Sequence, residues 1–170
     1  MEFLVGTIEI DDLEAFLERI GAVGDAHDVT VQAFDARYVA GPRHLERAVT
    51  LADRAFDRGE NVARDRAVEI CCYAAGRRQI DRALEMGVEV GEQRAVVLVD
   101  GADSQGEDAA ANALTERYGL EQVAPAHLRT AADPATISTY FDITSAEREA
   151  TDADLEALVC ERVALLEVEK

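Results

Sequence analysis

Tryptophan is absent from this chain, and aromatic residues fill only 5% of its 170 positions. An aromatic-rich interior is thereby excluded. The hydrophobic share of 48% comes mostly from alanine, valine and leucine, which suits a globular fold with a modest, small-residue core. Lysine occurs only at Lys170, so every other basic residue is arginine. No apolar run approaches the roughly 20 residues that span a bilayer. The opening stretch MEFLVGTIEIDD lacks the basic n-region of a secretory signal, so a cytoplasmic chain without membrane contact is expected. Gly/Ser linkers, low-complexity tracts and internal repeats are missing as well. Residues 1–170 therefore read as a single domain, long enough to bury its own core.

Chemistry-bearing motifs are equally scarce. GxxxxGK[ST], GxGxxG, GxSxG and HExxH do not occur, and His27, His44 and His127 stand far apart without a nucleophile motif. The cysteines are Cys71, Cys72 and Cys160, with no CxxC or HxxxH spacing. Neighbouring helical side chains diverge by about 100°, so Cys71 and Cys72 cannot share a tetrahedral metal without further ligands. They read as buried structural residues. The expectation is no catalytic residue, no metal and no cofactor.

What is abundant is negative charge, a formal net of −18. Phosphate repels carboxylate, which ordinarily argues against nucleic-acid partners. Abundant Asp and Glu, scarce lysine and many alanines, however, have the look of a protein from a salt-loving archaeon. In molar salt the Debye length is about 3 Å, so the acidic face is screened and nucleic acid is not excluded. The charge is also uneven. From Asp35 to Glu85 ten arginines face nine acids, whereas the remainder holds seven basic and twenty-six acidic residues. A charge-balanced, arginine-rich stretch in an acidic chain points to an anionic or protein partner.

Periodicity supplies a coarse map. Phe3 to Ile10 reads as a strand, followed by a helix capped by Asp11, striped by Leu13, Phe16, Leu17 and Ile20, and stopped by Gly21. Val29 to Phe34 reads as a central strand. Gly41-Pro42 opens a second helix with Leu45, Ala48, Val49, Ala52 and Phe56 inward, closed by Gly59. A nearly all-apolar helix from Asp65 to Ala75 breaks at Gly76, and Arg77 to Met86 gives a short helix ending at Gly87. Ala95 to Val99 is an interior strand, and a helix carrying Ala110, Ala113 and Leu114 closes at Gly119. Leu120 to Val123 supplies an edge strand, Asp133-Pro134 opens a short helix, and Thr144 to Glu147 matches a capping box. A last helix carries Leu155, Leu158, Val159, Val163 and Leu166. The pattern is α+β, one small sheet packed with about seven or eight helices, whose strand order does not follow from the sequence.

Three places offer binding chemistry. In Tyr73-Ala74-Ala75-Gly76-Arg77-Arg78-Gln79-Ile80 one helix ends and another is expected to begin within two residues. Free N–H groups at such a start attract anions, two guanidinium groups add bidentate bonds, Gln79 can read a base edge, and Tyr73 can stack an unpaired base. Those parts suit a single-stranded RNA end. A C-cap glycine, a solvated arginine face and a core tyrosine account for the same residues. Arg37, Tyr38, Arg43 and His44 flank the Gly41-Pro42 helix start, where cations oppose the dipole. They imply either an anionic ligand or a salt bridge to a nearby acid. On the last helix, Val159, Arg162, Val163 and Leu166 sit among more apolar residues than one stripe needs, which fits either a partner groove or the core.

The segments FDARYVAGPRHLERAV, the GEN turn, YAAGRRQIDRAL and ERVALL together resemble the TPRKB-like (Cgi-type) small subunit of the KEOPS complex. That complex places threonylcarbamoyl on the adenosine next to the anticodon in certain tRNAs. The resemblance is strong over Val31 to Val88, moderate over Tyr140 to Leu166, and poor over Gly101 to Ala132. It implies a largely antiparallel four-stranded sheet. It also implies a non-catalytic subunit that docks on a PRPK-like kinase/ATPase, stimulates it, and recruits tRNA by its single-stranded CCA end. The family pattern at the turn is close to SGxRQI, and Ala75 replaces its serine, removing one hydroxyl. The candidate RNA-binding set is Tyr73, Gly76, Arg77, Arg78, Gln79 and Ile80 with Arg37 and His44. The candidate partner-binding set is Val159, Arg162, Val163 and Leu166. A kinase regulator without RNA contact, or a small enzyme acting on an anionic metabolite at Arg77/Arg78, are the alternatives.

Overall fold

The computed structural model describes residues 1–168. Strands β1 (Glu2–Ile10), β2 (Val29–Asp35), β3 (Gly91–Gly101) and β4 (Glu121–Gln122) form one sheet in the order β2-β3-β1-β4, every pair antiparallel. Around it lie α1 (Leu13–His27), α2 (Pro42–Arg58), α3 (Arg66–Ala75), α4 (Ile80–Ala83), α5 (Ser104–Tyr118), α6 (Pro134–Tyr140), α7 (Ser145–Glu149) and α8 (Leu155–Val168). The expected α+β class and four-stranded antiparallel sheet are both present. Among the described residues no helix is long and apolar enough to cross a membrane.

Helices cover both faces of the sheet, and the strands show it in their sequence. Phe3, Val5, Phe34, Val96 and Leu98 enter one core with residues of α2, α3 and α8. Leu4, Ile8, Val31, Ala33, Val97 and Val99 enter a second core with residues of α1 and α5. Two buried faces leave no polar side to alternate with. That explains the continuous runs Phe3-Leu4-Val5 and Ala95 to Val99.

Three details differ from the sequence map: a sheet position, a helix boundary and a helix face. β2 is an edge strand, not a central one. Its apolar composition comes from burial on both faces, and an isolated bridge from Phe34 to Gly87 covers part of its outer rim. Helix α1 is capped by Asp12, whose side chain accepts from the Ala15 N–H at 3.0 Å. It then passes through Gly21 and ends at left-handed Asp28 (φ 55°). Gly24, not Gly21, is the glycine this helix requires, because a Cβ there would sit 2.7 Å from the Val29 carbonyl. On α2, Leu51 and Ala55 are buried while Phe56 is only half-buried.

Cys71 and Cys72 are buried and Cys160 is half-buried. Burial pushes their thiols up to about 12, about 11 and about 11 respectively. The described residues hold no group of three or more His, Cys, Asp or Glu arranged for a metal.

Candidate functional site

Helix α3 ends at Gly76, whose left-handed backbone (φ 60°) a side chain resists. The Gly76 N–H donates to the Tyr73 carbonyl at 2.9 Å and the Arg77 N–H to the Cys72 carbonyl at 3.0 Å. Two of the last carbonyls of α3 are thus satisfied inside the turn. The next helix starts later than expected. Residues 77–79 are not helical, Gln79 is extended (φ −84°, ψ 112°), and α4 is a single turn followed by the 3-10 turn Leu84–Met86. So short a helix aligns few peptide dipoles. The turn therefore offers side chains to an anion, not a helix start.

Those side chains differ sharply in their surroundings. Arg77 Nη2 donates to the Tyr140 carbonyl at 2.9 Å, and its Cζ lies 5.3 Å from the Tyr140 ring centroid. Arg78 and Gln79 are exposed, and neither side chain has a partner among the described residues. Ile80 is partly buried against the core. Tyr73 does not fit its expected place on the surface: its ring is 3% exposed, enclosed because α2, α4 and α8 all pack on α3. Accessible aromatic surface lies instead on Tyr38 and Tyr140, both half-exposed, with centroids 5.1 Å apart and planes at 69°. The Asp133 N–H donates to the Arg37 carbonyl at 3.2 Å, which ties the start of α6 to the 3-10 turn Ala36–Tyr38. Arg37 lies over the Tyr38 ring at 5.8 Å, and Asp35 holds its guanidinium, the shortest contact being 2.6 Å. The sequence places Tyr140 on one side of the short helix opened by Asp133-Pro134, together with Ile137 and Phe141. The adjacency Arg37-Tyr38 was the only signal in the sequence for this cluster.

At the Gly41-Pro42 corner the two alternatives resolve. Glu156, 3% exposed on α8, accepts from the Arg43 N–H at 2.7 Å and from Arg43 Nε at 3.1 Å, and it also accepts from Arg129. Asp154 takes Arg43 Nη2 at 2.8 Å. The N–H of Ala157 and the neighbouring arginines hold the Asp154 carboxyl below its usual range. The anion at the start of α2 is therefore Glu156 itself, well placed against the helix dipole. Gly41 is needed beside it, since a Cβ would collide with that carboxylate. His44 is fully buried, accepting at Nδ1 from the Ala40 N–H (3.2 Å) and donating from Nε2 to the Ala74 carbonyl (2.8 Å). Burial pushes its pKa down to about 4. It is neutral and cannot touch RNA, contrary to its place in the candidate set.

A family model described as kinase binding protein CGI-121 matches residues 10–167. The chain belongs to the CGI-121 family. Comparison with curated proteins gives no match. A CGI-121 family chain needs a surface for a kinase, and the expected residues of α8 do not supply it directly. Val159 and Val163 are fully buried and Leu166 is 7% exposed. Arg162 donates to the Phe141 carbonyl at 3.2 Å and to Glu147 at 2.7 and 2.8 Å. All four hold α8 to the body of the protein. The other side of α8 carries Ala157, Cys160, Ala164 and Leu165, of which the first three are half-buried and Leu165 is 48% exposed.

Proposed function

We propose that this protein is a non-catalytic KEOPS-type subunit that docks on a kinase and holds the single-stranded CCA end of tRNA. The observation that carries the RNA part is the unpaired Arg78-Gln79 pair at the Gly76 turn, next in the chain to Arg77, which meets half-exposed Tyr140, in a chain otherwise dominated by carboxylates. Membership of a kinase-binding family supports the kinase part. The outward face of α8 carries Ala157, Cys160, Ala164 and Leu165 around exposed Glu161, and it is the face assigned here to the kinase.

The deciding experiment is tRNA binding at high salt, with intact tRNA compared with tRNA lacking its CCA end. Wild-type protein should prefer intact tRNA. Arg78→Ala should lose that preference and flatten the salt slope by about one unit. A kinase regulator without RNA contact is favoured by the net charge of −18. It gains the argument if wild-type protein binds the kinase subunit but neither tRNA.

A further inference from the structure

We infer that the hollow between Tyr38 and Tyr140 receives one unpaired nucleobase, with Arg77 bracing the site and Arg78 meeting the adjoining phosphate; this rests on the RNA-binding reading above. The hollow measures about 360 Å³ and is lined by the two rings with Ala135, Thr136 and Thr139 of α6. That lies within the roughly 300–1,000 Å³ common for small-molecule sites. Its lining of aromatic rings, alanine and threonine is flat and mostly apolar, which suits a planar heterocycle.

The rings meet edge to face at 69°, so they do not cover each other's faces. Tyr140 is held firmly: its hydroxyl donates to the Arg82 carbonyl at 3.1 Å and its ring packs on Phe141 at 5.0 Å. Thr136 and Thr139 donate their hydroxyl protons to Asp133 and to the Ala135 carbonyl, leaving lone pairs as acceptors. The Tyr38 hydroxyl has no partner among the described residues. Ring faces with Arg37 over Tyr38, Arg77 over Tyr140 and the Arg82 backbone at the Tyr140 hydroxyl suit a ligand both aromatic and anionic. Of these, only Arg37 has a carboxylate partner among the described residues. A purely apolar peptide would offer no charge to Arg78, whose side chain has no partner among the described residues.

The paired arginines are therefore not equivalent. Arg77 is a positioning residue, since one of its N–H groups holds the Tyr140 carbonyl and its Cζ lies over that ring at 5.3 Å. Arg78 has all its donors free for phosphate.

Absence of tryptophan makes the test direct, because emission comes from only four tyrosines, two of them in the hollow. The protein is titrated at high salt with a short RNA ending in unpaired CCA. The same RNA with abasic terminal nucleotides serves as the control. The expected result is quenching by the intact RNA, with the abasic RNA weaker by about tenfold, in line with stacking on one aromatic ring. Tyr140→Leu and Tyr38→Leu should each bind about tenfold more weakly with an unchanged salt slope. Tyr140→Phe keeps the ring and should bind as wild type, which guards against a folding defect in Tyr140→Leu. Arg78→Ala should flatten the salt slope by about one unit. If folded Tyr38→Leu and Tyr140→Leu bind like wild type while Arg78→Ala is weakened, the base lies elsewhere and only the stacking site is overturned. If wild-type protein binds neither RNA, the RNA-binding reading falls with it.

Discussion

Arg43-His44 and Arg77-Arg78 are both paired basic residues beside a helix end and a glycine, yet the fold treats them in opposite ways. At the first corner every charge is answered inside the molecule. Glu156 and Asp154 take Arg43, and His44 is buried as a neutral link between α2 and the Ala74 carbonyl. At the second, Arg77 leans on an aromatic ring and Arg78 meets nothing among the described residues. The lesson is that a cation near a helix end carries no message until its counter-ion is located. Here the counter-ion sits 113 residues further along the chain.

The sharpest way to break this contrast is Glu156→Ala. It removes one buried acceptor from two arginines and from the first turn of α2. Unfolding in urea should show a loss of about 2–3 kcal/mol. The loss should persist in high salt, because buried pairs are little screened. A loss no larger than that of an exposed residue would mean the corner is not internally answered after all.

Titration should separate the corners next. The His44 pKa is about 4 in the folded protein, against 6.5 as the ordinary value. The unfolded chain therefore binds the extra proton first as pH falls, and stability drops from pH 6.5 down towards pH 4. By pH 5 the loss should reach about 2 kcal/mol. His44→Asn should flatten this part of the stability curve, and an unchanged curve would show that other groups govern it.

Arg77→Ala should cost about 1 kcal/mol, from one hydrogen bond and one cation–ring contact. Arg78→Ala should stay within about 0.5 kcal/mol of wild type. Equal costs for the two in the same thermal unfolding series would erase the division between brace and free cation.

Much of the fold was legible because apolar runs and helix punctuation are local. Pro42 and Gly59 bound α2, Asp133 caps α6, and Gly76 stops α3, all as read from the residues. What escaped was orientation. When apolar residues occupy both faces of an element, periodicity cannot say which face meets the sheet. Val29 to Phe34 therefore read as central although β2 lies at the rim. Val159, Val163 and Leu166 stayed open between a partner groove and the core, and they enter the core. Tyr73 suffered the same way. Its reading stayed open between a stacking face and a core residue, and it is 3% exposed in the core. The Tyr38–Tyr140 pair was out of reach because it joins segments about a hundred residues apart.

One feature of α8 sets a rule about length. Glu156 near its start is fastened to α2, and Arg162 further along is fastened to Phe141 and Glu147. The Arg162 backbone also lies against the Gly76 turn, 3.6 Å from where a Cβ would stand. Removing or adding one residue between them would swing one end about 100° around the helix axis relative to the other. Either the fastening to α2 or the support behind the turn would then be lost. Whatever side chains the outward face of α8 carries, the interval from Glu156 to Arg162 works as a ruler and tolerates no insertion.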